Sequence, residues 1–112
     1  MIEVPIVKSD WFICDVAVVD EKCRLAKPDV ENIGGYIDVV RYRLEEGVYW
    51  VVYLKCEFDL FDKVIKKYVG VRKMRVWRDG SSEILSLWYG EPEELANRGI
   101  PDCVMDIVWD IW

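Results

Sequence analysis

Three aspartates spaced four residues apart, Asp102, Asp106 and Asp110, are the most regular set of chemically active side chains in the sequence. On a helix, this spacing stacks the three carboxylates along one narrow stripe. Carboxylates gathered in a cleft act as acid and base in catalysis or bind a divalent cation. Acidic stripes on protein surfaces are in most cases only solvated, and we therefore predict no metal site.

The sequence offers few other residues that could take part in catalysis. The sequence contains no histidine, which excludes a Ser-His or Cys-His relay and removes the commonest proton shuttle at neutral pH. No glycine-rich phosphate loop is present, since Gly34, Gly35 and Gly80 stand in turn-like contexts. The sequence therefore predicts no catalytic residues and no cofactor, and we expect a protein that is not an enzyme.

Four cysteines, Cys14, Cys23, Cys56 and Cys103, are scattered along the chain with no C-x-x-C pair. This spacing does not match a structural zinc site. The pattern favours four buried free thiols, because cysteine commonly serves as a small core residue. One disulfide is the alternative, as in intracellular proteins of hyperthermophiles.

Composition indicates one intracellular domain from a hot habitat. The 112 residues form a single predicted domain, 1–112, with one core. Glutamine and threonine are absent, whereas valine occurs seventeen times and isoleucine ten times. This bias is typical of proteins from thermophilic archaea or their viruses. The first residues lack the basic head and apolar stretch of a secretory signal, so we expect a cytoplasmic protein.

Positive charge is concentrated in residues 63–78, which hold seven basic and no acidic side chains in a chain of net charge −6. The residues predicted to contact nucleic acid are Lys63, Lys66, Lys67, Arg72, Lys73, Arg75, Trp77 and Arg78. Cations and an aromatic ring on one strand can meet phosphates and stack a base. The favoured alternative is that these cations pair with neighbouring acids. The low pI of about 4.7 predicts that any nucleic-acid binding is weak.

Residues 101–112 form an apolar segment that carries the three aspartates. The segment is too short and too charged to span a membrane, and its acidic stripe does not suit a lipid surface. Its spacing is compatible with a helix or a strand, each with one face in the core. Val104, Val108 and Trp112, or their helical equivalents, are then predicted as a partner-binding surface, and the favoured alternative is that the whole segment docks in the core.

Two β-hairpins are predicted in the middle of the chain. In the first, residues 36–44 and 48–58 flank a loop at residues 45–47, which sets Tyr42 opposite Trp50. In the second, a loop at residues 79–82 aligns Val76 with Leu85.

Helices are predicted at residues 58–70, from the spacing of Phe58, Phe61, Ile65 and Tyr68, and at residues 91–99. Residues 11–20 are predicted as a further strand. The predicted fold is α+β, a mostly antiparallel sheet of about five strands with two or three short helices on one face.

The leading functional hypothesis is a non-catalytic protein-interaction module that self-associates or binds a larger protein. Six tryptophans and six tyrosines motivate it, because one small core cannot readily bury them all and both residue types are favoured in interfaces. The first alternative is a weak nucleic-acid-binding protein that uses residues 63–78. The second alternative is an acidic mimic of nucleic acid that inhibits an enzyme.

Overall fold

The computed structural model describes residues 2–5, 12–31, 39–58, 60–61 and 63–112. Its strands are β1 (Ile2–Pro5), β2 (Phe12–Asp20), β3 (Leu25–Ala26), β4 (Pro28–Glu31), β5 (Val39–Tyr42), β6 (Gly47–Phe58), β7 (Val64–Val76) and β8 (Ser82–Gly90). Its helices are α1 (Pro92–Leu95) and α2 (Asp102–Ile111).

The main sheet has five antiparallel strands in the order β3, β2, β6, β7, β8. A smaller sheet has the order β1, β5, β4. Both helices contact the main sheet. The structure thus agrees at a coarse level with the α+β prediction, although sheet predominates. The predicted strand at residues 11–20 is confirmed from Phe12 onward, and Trp11 lies outside the described residues.

The first predicted hairpin is wrong. Strand β5 pairs with β1 and β4, whereas β6 pairs with β2 on one side and β7 on the other. With both edges of β6 occupied, Tyr42 cannot lie opposite Trp50. The alternation of side chains specifies which face of a strand is buried, but not which strand pairs with it. Residues 36–38 of this prediction lie outside the described residues.

The helix predicted at residues 58–70 is also wrong, because β7 begins at Val64 and pairs with β6 along nearly its whole length. The apolar residues Ile65 and Tyr68 fit a helical spacing, but they are also good strand formers. Pairing with the long strand β6 therefore overrides the local helical pattern. Residues 59 and 62 lie outside the described residues.

The second predicted hairpin is confirmed, although its register differs from the predicted one. Val76 lies opposite Ser82 and not opposite Leu85. The turn is shorter than predicted, since the backbone N–H of Trp77 donates to the carbonyl of Ser81 at 2.8 Å and leaves only residues 78–80 between them. A shift of three residues reverses the faces at this end of β8, and Leu85 is consequently exposed.

Helix α1 confirms the short helix predicted at residues 91–99 and begins with Pro92, whose missing N–H costs nothing at this position. Its start is closed by a capping box in which the backbone N–H of Glu91 donates to the Glu94 carboxylate at 3.3 Å. Helix α2 shows that the apolar segment at residues 101–112 is a helix and not a strand.

The core occupies both faces of the main sheet. The helix face carries Trp50, Val52 and Leu54 of β6, which are buried in one cluster with Leu95 of α1 and Val104 of α2. The alternate residues of β6 form the opposite face, which we call the far face. Its buried residues are Ile13, Val18, Tyr42, Tyr49, Val51, Tyr53, Met74 and Val76. Because β6 buries side chains on both faces, it is the central strand of the domain.

All four cysteines are paired, so the prediction of buried free thiols is wrong. Cys14 and Cys56 join β2 to β6 with their Cα atoms 6.2 Å apart. Cys23 and Cys103 join the turn after β2 to the first turn of α2, with a Cα separation of 6.1 Å. Both separations are in the range for disulfides. The second bridge therefore ties α2 to the sheet covalently.

Candidate interaction surfaces

The predicted nucleic-acid segment lies mostly on strand β7, and its cations are divided between the two faces of the sheet. Lys73 and Arg75 pair with Trp50 and Val48 of β6, which puts their side chains on the helix face. Arg72 is next to them in sequence but projects from the far face. The structure therefore brings together Lys73, Arg75 and Trp77 as predicted, but separates them from Arg72.

Aromatic rings are the neighbours of these cations. On the helix face, the Nζ atom of Lys73 lies 5.3 Å from the centre of the Trp50 ring, which stacks on Trp88 at 5.9 Å. The guanidinium of Arg75 lies 4.4 Å from the centre of the Trp77 ring, which is 41% exposed. Contacts of this kind are favourable because the face of an aromatic ring is electronegative.

The expected pairing of these cations with acids is not found in the described part of the chain. The ion pair formed by described residues is Arg24 with Asp20, at 2.8 Å and outside the basic segment. None of Lys66, Lys67, Arg72, Lys73, Arg75 and Arg78 makes an ion pair with an Asp or Glu carboxylate there. The described acids therefore make no ion pair with the cations of β7, although Glu57 lies opposite Lys66 and Glu83 lies opposite Arg75.

Strand β8 forms one edge of the main sheet, and four of its large apolar side chains are exposed. Ile84, Leu87 and Tyr89 are 52%, 37% and 56% exposed, and Leu85 is 43% exposed. From the sequence, Leu85 is predicted opposite Val76 in a hairpin, and no exposed edge is predicted. The signal for such an edge is that SEILSLWYG contains one charge and no lysine or proline, the residues that commonly protect edge strands.

The tail residues predicted to bind a partner are placed differently from the expectation. Val104 and Val108 are 1% and 0% exposed and pack in the core, because α2 turns this side toward the sheet. Trp112 is half-buried beneath Lys67, whose Nζ atom lies 4.2 Å from the ring centre and donates to the Trp112 carbonyl at 2.7 Å. Among the apolar residues of α2, the exposed one is Trp109, at 52%.

The aspartates Asp102, Asp106 and Asp110 lie on the exposed side of α2, next to Trp109. Among the described residues, no three His, Cys, Asp or Glu side chains are grouped so that they could hold a metal ion. Neither described helix combines the length and the apolar character that a membrane span requires.

A shallow groove of about 500 Å³ is lined by Trp112 and by the first residues of β7. Strand β8 does not pair with this part of β7, because their pairing begins at Val69. The lining of the groove includes Val64, Ile65 and Glu91. No family model, no curated protein and no solved structure matches the chain. The surfaces are therefore interpreted from their own chemistry.

Proposed function

We propose that the chain is a non-catalytic interaction module that self-associates through the free edge of strand β8. The observation that carries the proposal is the combination of an unpaired edge with exposed apolar side chains over the nine residues Ser82–Gly90. Among the described strands, β8 pairs with β7 alone. A long, apolar edge strand of this kind is a template for pairing with another chain.

The two edges of the main sheet differ in their capacity to pair. The opposite edge is β3, which has only two residues, Leu25–Ala26, and offers few hydrogen-bonding groups. By contrast, β8 offers every outward N–H and C=O group along nine residues. A self-association that extends the sheet is therefore expected at β8 and not at β3.

A second copy of the same chain fits this edge because β8 carries a single charge, Glu83, at its beginning. Antiparallel pairing of two β8 strands about a twofold axis sets the two Glu83 carboxylates at opposite ends of the interface, where they do not repel each other. The same symmetry brings Ile84, Leu87 and Tyr89 of both copies into one apolar surface. Binding of a larger protein is the alternative, and a purified chain that remains monomeric in the test below would favour it.

Substitution Ile84→Lys is expected to convert a dimer into a monomer, because it adds a strongly hydrated charge to the apolar edge. The matched control is Leu25→Lys, which adds the same charge to the exposed edge strand β3, where Leu25 is 68% exposed. Light scattering over a wide concentration range measures the mass. A monomeric unmodified chain, or a dimer that persists in the Ile84→Lys variant, would contradict the proposal.

A second candidate function is weak binding of single-stranded nucleic acid by the helix face of β7. The observation that favours it is that Lys73 and Arg75 contact aromatic rings and make no ion pair with described carboxylates. Phosphates could pair with these cations while a base stacks on the exposed ring of Trp77. The surrounding negative charge keeps such binding weak.

Binding of a fluorescent single-stranded oligonucleotide is expected to weaken steeply with salt. If about three phosphates are neutralised, the slope of log K against log salt is about −2. Substitution Arg75→Gln should flatten this slope, whereas Arg98→Gln, an exposed cation outside the basic segment, should not. An absence of binding at low salt would remove this candidate.

A further inference from the structure

Two half-buried cations lie on the far face of the main sheet, and neither has a described acid as its partner. Lys55 is on β6, two residues from Tyr53, and Arg72 is on β7 opposite Val51. Lys55 and Arg72 therefore flank Tyr53 on the same side of the sheet. Both are half-buried, and neither makes an ion pair with a described carboxylate. Glu57, also half-buried, follows Lys55 on this face but does not pair with it.

The side chain of Arg72 leans along the sheet toward Tyr53. Its guanidinium carbon lies 5.8 Å from the centre of the Tyr53 ring, which is 6% exposed. Gly70, the residue opposite Tyr53 on β7, leaves room for this ring, because a Cβ atom at that position would overlap it. The absent side chain at Gly70 thus lets the Tyr53 ring lie beside the arginine.

Hydrogen bonding at Arg72 is incomplete. Its Nε atom is buried and has no hydrogen-bond partner among the described residues, as is also true of the Nε atom of Arg75 on the helix face. A buried N–H of a charged group without an acceptor is costly, so an acceptor at this position would be stabilising.

The electrostatics on the far face also favour a negative charge. Burial lowers the pKa of Lys55, and the positive charge of Arg72 lowers it further. Burial raises the pKa of Tyr53 to about 12, although Arg72 opposes this effect. The tyrosine hydroxyl is therefore protonated at neutral pH and can donate a hydrogen bond, and it lies between two cations that repel each other.

We propose that Lys55, Arg72 and the hydroxyl of Tyr53 form a binding site for a phosphoryl group. Its oxygens accept hydrogen bonds from ammonium, guanidinium and hydroxyl donors, and its charge offsets the repulsion between the two cations. Nearby, the rings of Tyr68 and Tyr89 meet edge to face at 6.0 Å, and Tyr89 is 56% exposed. This ring offers a surface on which a base attached to the phosphate can stack.

The phosphoryl group at this site can belong to free phosphate or to a nucleotide, and binding experiments distinguish the two ligands. The chain is titrated first with inorganic phosphate and then with adenosine monophosphate, at constant ionic strength set with chloride. Calorimetry measures the affinity, and NMR shifts of the Tyr53 and Lys55 signals locate the site. Equal affinities assign the site to phosphate alone, whereas tighter binding of the nucleotide assigns it to a phosphate with a base.

Lys55→Gln and Arg72→Gln are each expected to weaken phosphate binding at least tenfold, because each variant loses a charged hydrogen bond to the ligand. Arg98→Gln is the control, because it removes the same charge from an exposed residue outside the basic segment and outside both proposed surfaces. Binding that is lost equally in Arg98→Gln would overturn the proposal. So would an unmodified chain in which phosphate causes no saturable shift at Tyr53 or Lys55, a result that does not depend on any variant folding. The binding of inorganic phosphate involves no residue of β8, so its failure and the failure of the proposed self-association are distinguishable; Tyr89 of β8 takes part only in the nucleotide arm.

Discussion

Removal of the disulfide between Cys23 and Cys103 is expected to lower the free energy of unfolding by about 4 kcal/mol, because the unfolded chain regains the freedom of a long loop. The two cysteines are 80 residues apart in sequence, against 42 for Cys14 and Cys56. The entropy of loop closure rises only slowly with length, so the bridge between Cys14 and Cys56 is expected to contribute a similar amount. The two loops interleave along the chain, and we therefore expect the combined loss to be smaller than the sum.

Chemical denaturation of the double variant Cys23→Ser with Cys103→Ser, compared with the unmodified chain, measures this effect. Serine suits both positions because Cys23 is exposed and Cys103 is half-buried. The control is thiol labelling of the denatured, unreduced chain, which should modify no cysteine. Labelling of four thiols without a reductant would show that neither bridge forms, and equal stability of the variant would show that the bridge does not restrain the unfolded chain.

Substitution Val108→Asp is expected to lower the free energy of unfolding by at least about 4 kcal/mol, because it buries a carboxylate without a partner. Val108 is 0% exposed and packs with Trp50 and Val52 of the helix face. Protonation of the carboxyl group is expected to lower part of the free-energy cost of burying it. Even so, a neutral carboxyl group without hydrogen bonds remains destabilising in an apolar core.

The matched control is Trp109→Asp, which introduces the same carboxylate at the next residue of α2. Trp109 is 52% exposed, so its replacement should change the stability by about 0.5 kcal/mol or less. Urea unfolding of the two variants compares them directly. Equal losses would mean that α2 does not turn Val108 toward the sheet, and a larger loss for Trp109 would mean that the helix is rotated from the orientation described above.

Several features could be predicted because they depend on neighbouring residues only. The short helix α1 is an example, since Pro92 and the acids that follow it favour a helix start through residues within one turn. The division of the β7 side chains between the two faces of the sheet is another example, because Lys73 and Arg75 must lie on the face opposite Met74 in any strand. The prediction of Lys73, Arg75 and Trp77 as neighbours needed no knowledge of the partner strands.

The candidate sites on the far face and at the β8 edge could not be predicted in the same way. Lys55 and Arg72 are seventeen positions apart, and they share a site only through the register of β6 with β7. That β8 is an edge depends on the absence of a further described strand beyond it, which no local pattern indicates. Both sites therefore depend on how the strands are ordered, which is a long-range property of the chain.

By itself, the sequence determined the alternating apolar faces of β6, the charge of residues 63–78 and the short helix after Gly90, since each depends on residues a few positions apart. Only the tertiary structure decided that β6 pairs with β2 and β7, that residues 64–70 are a strand, and which cysteines are joined. The physical reason is that several strands present a similar apolar alternation, so that local propensity leaves their free energies of pairing close together. Packing of the whole core then selects one arrangement, and cysteine pairing follows from the Cα distances that this arrangement sets.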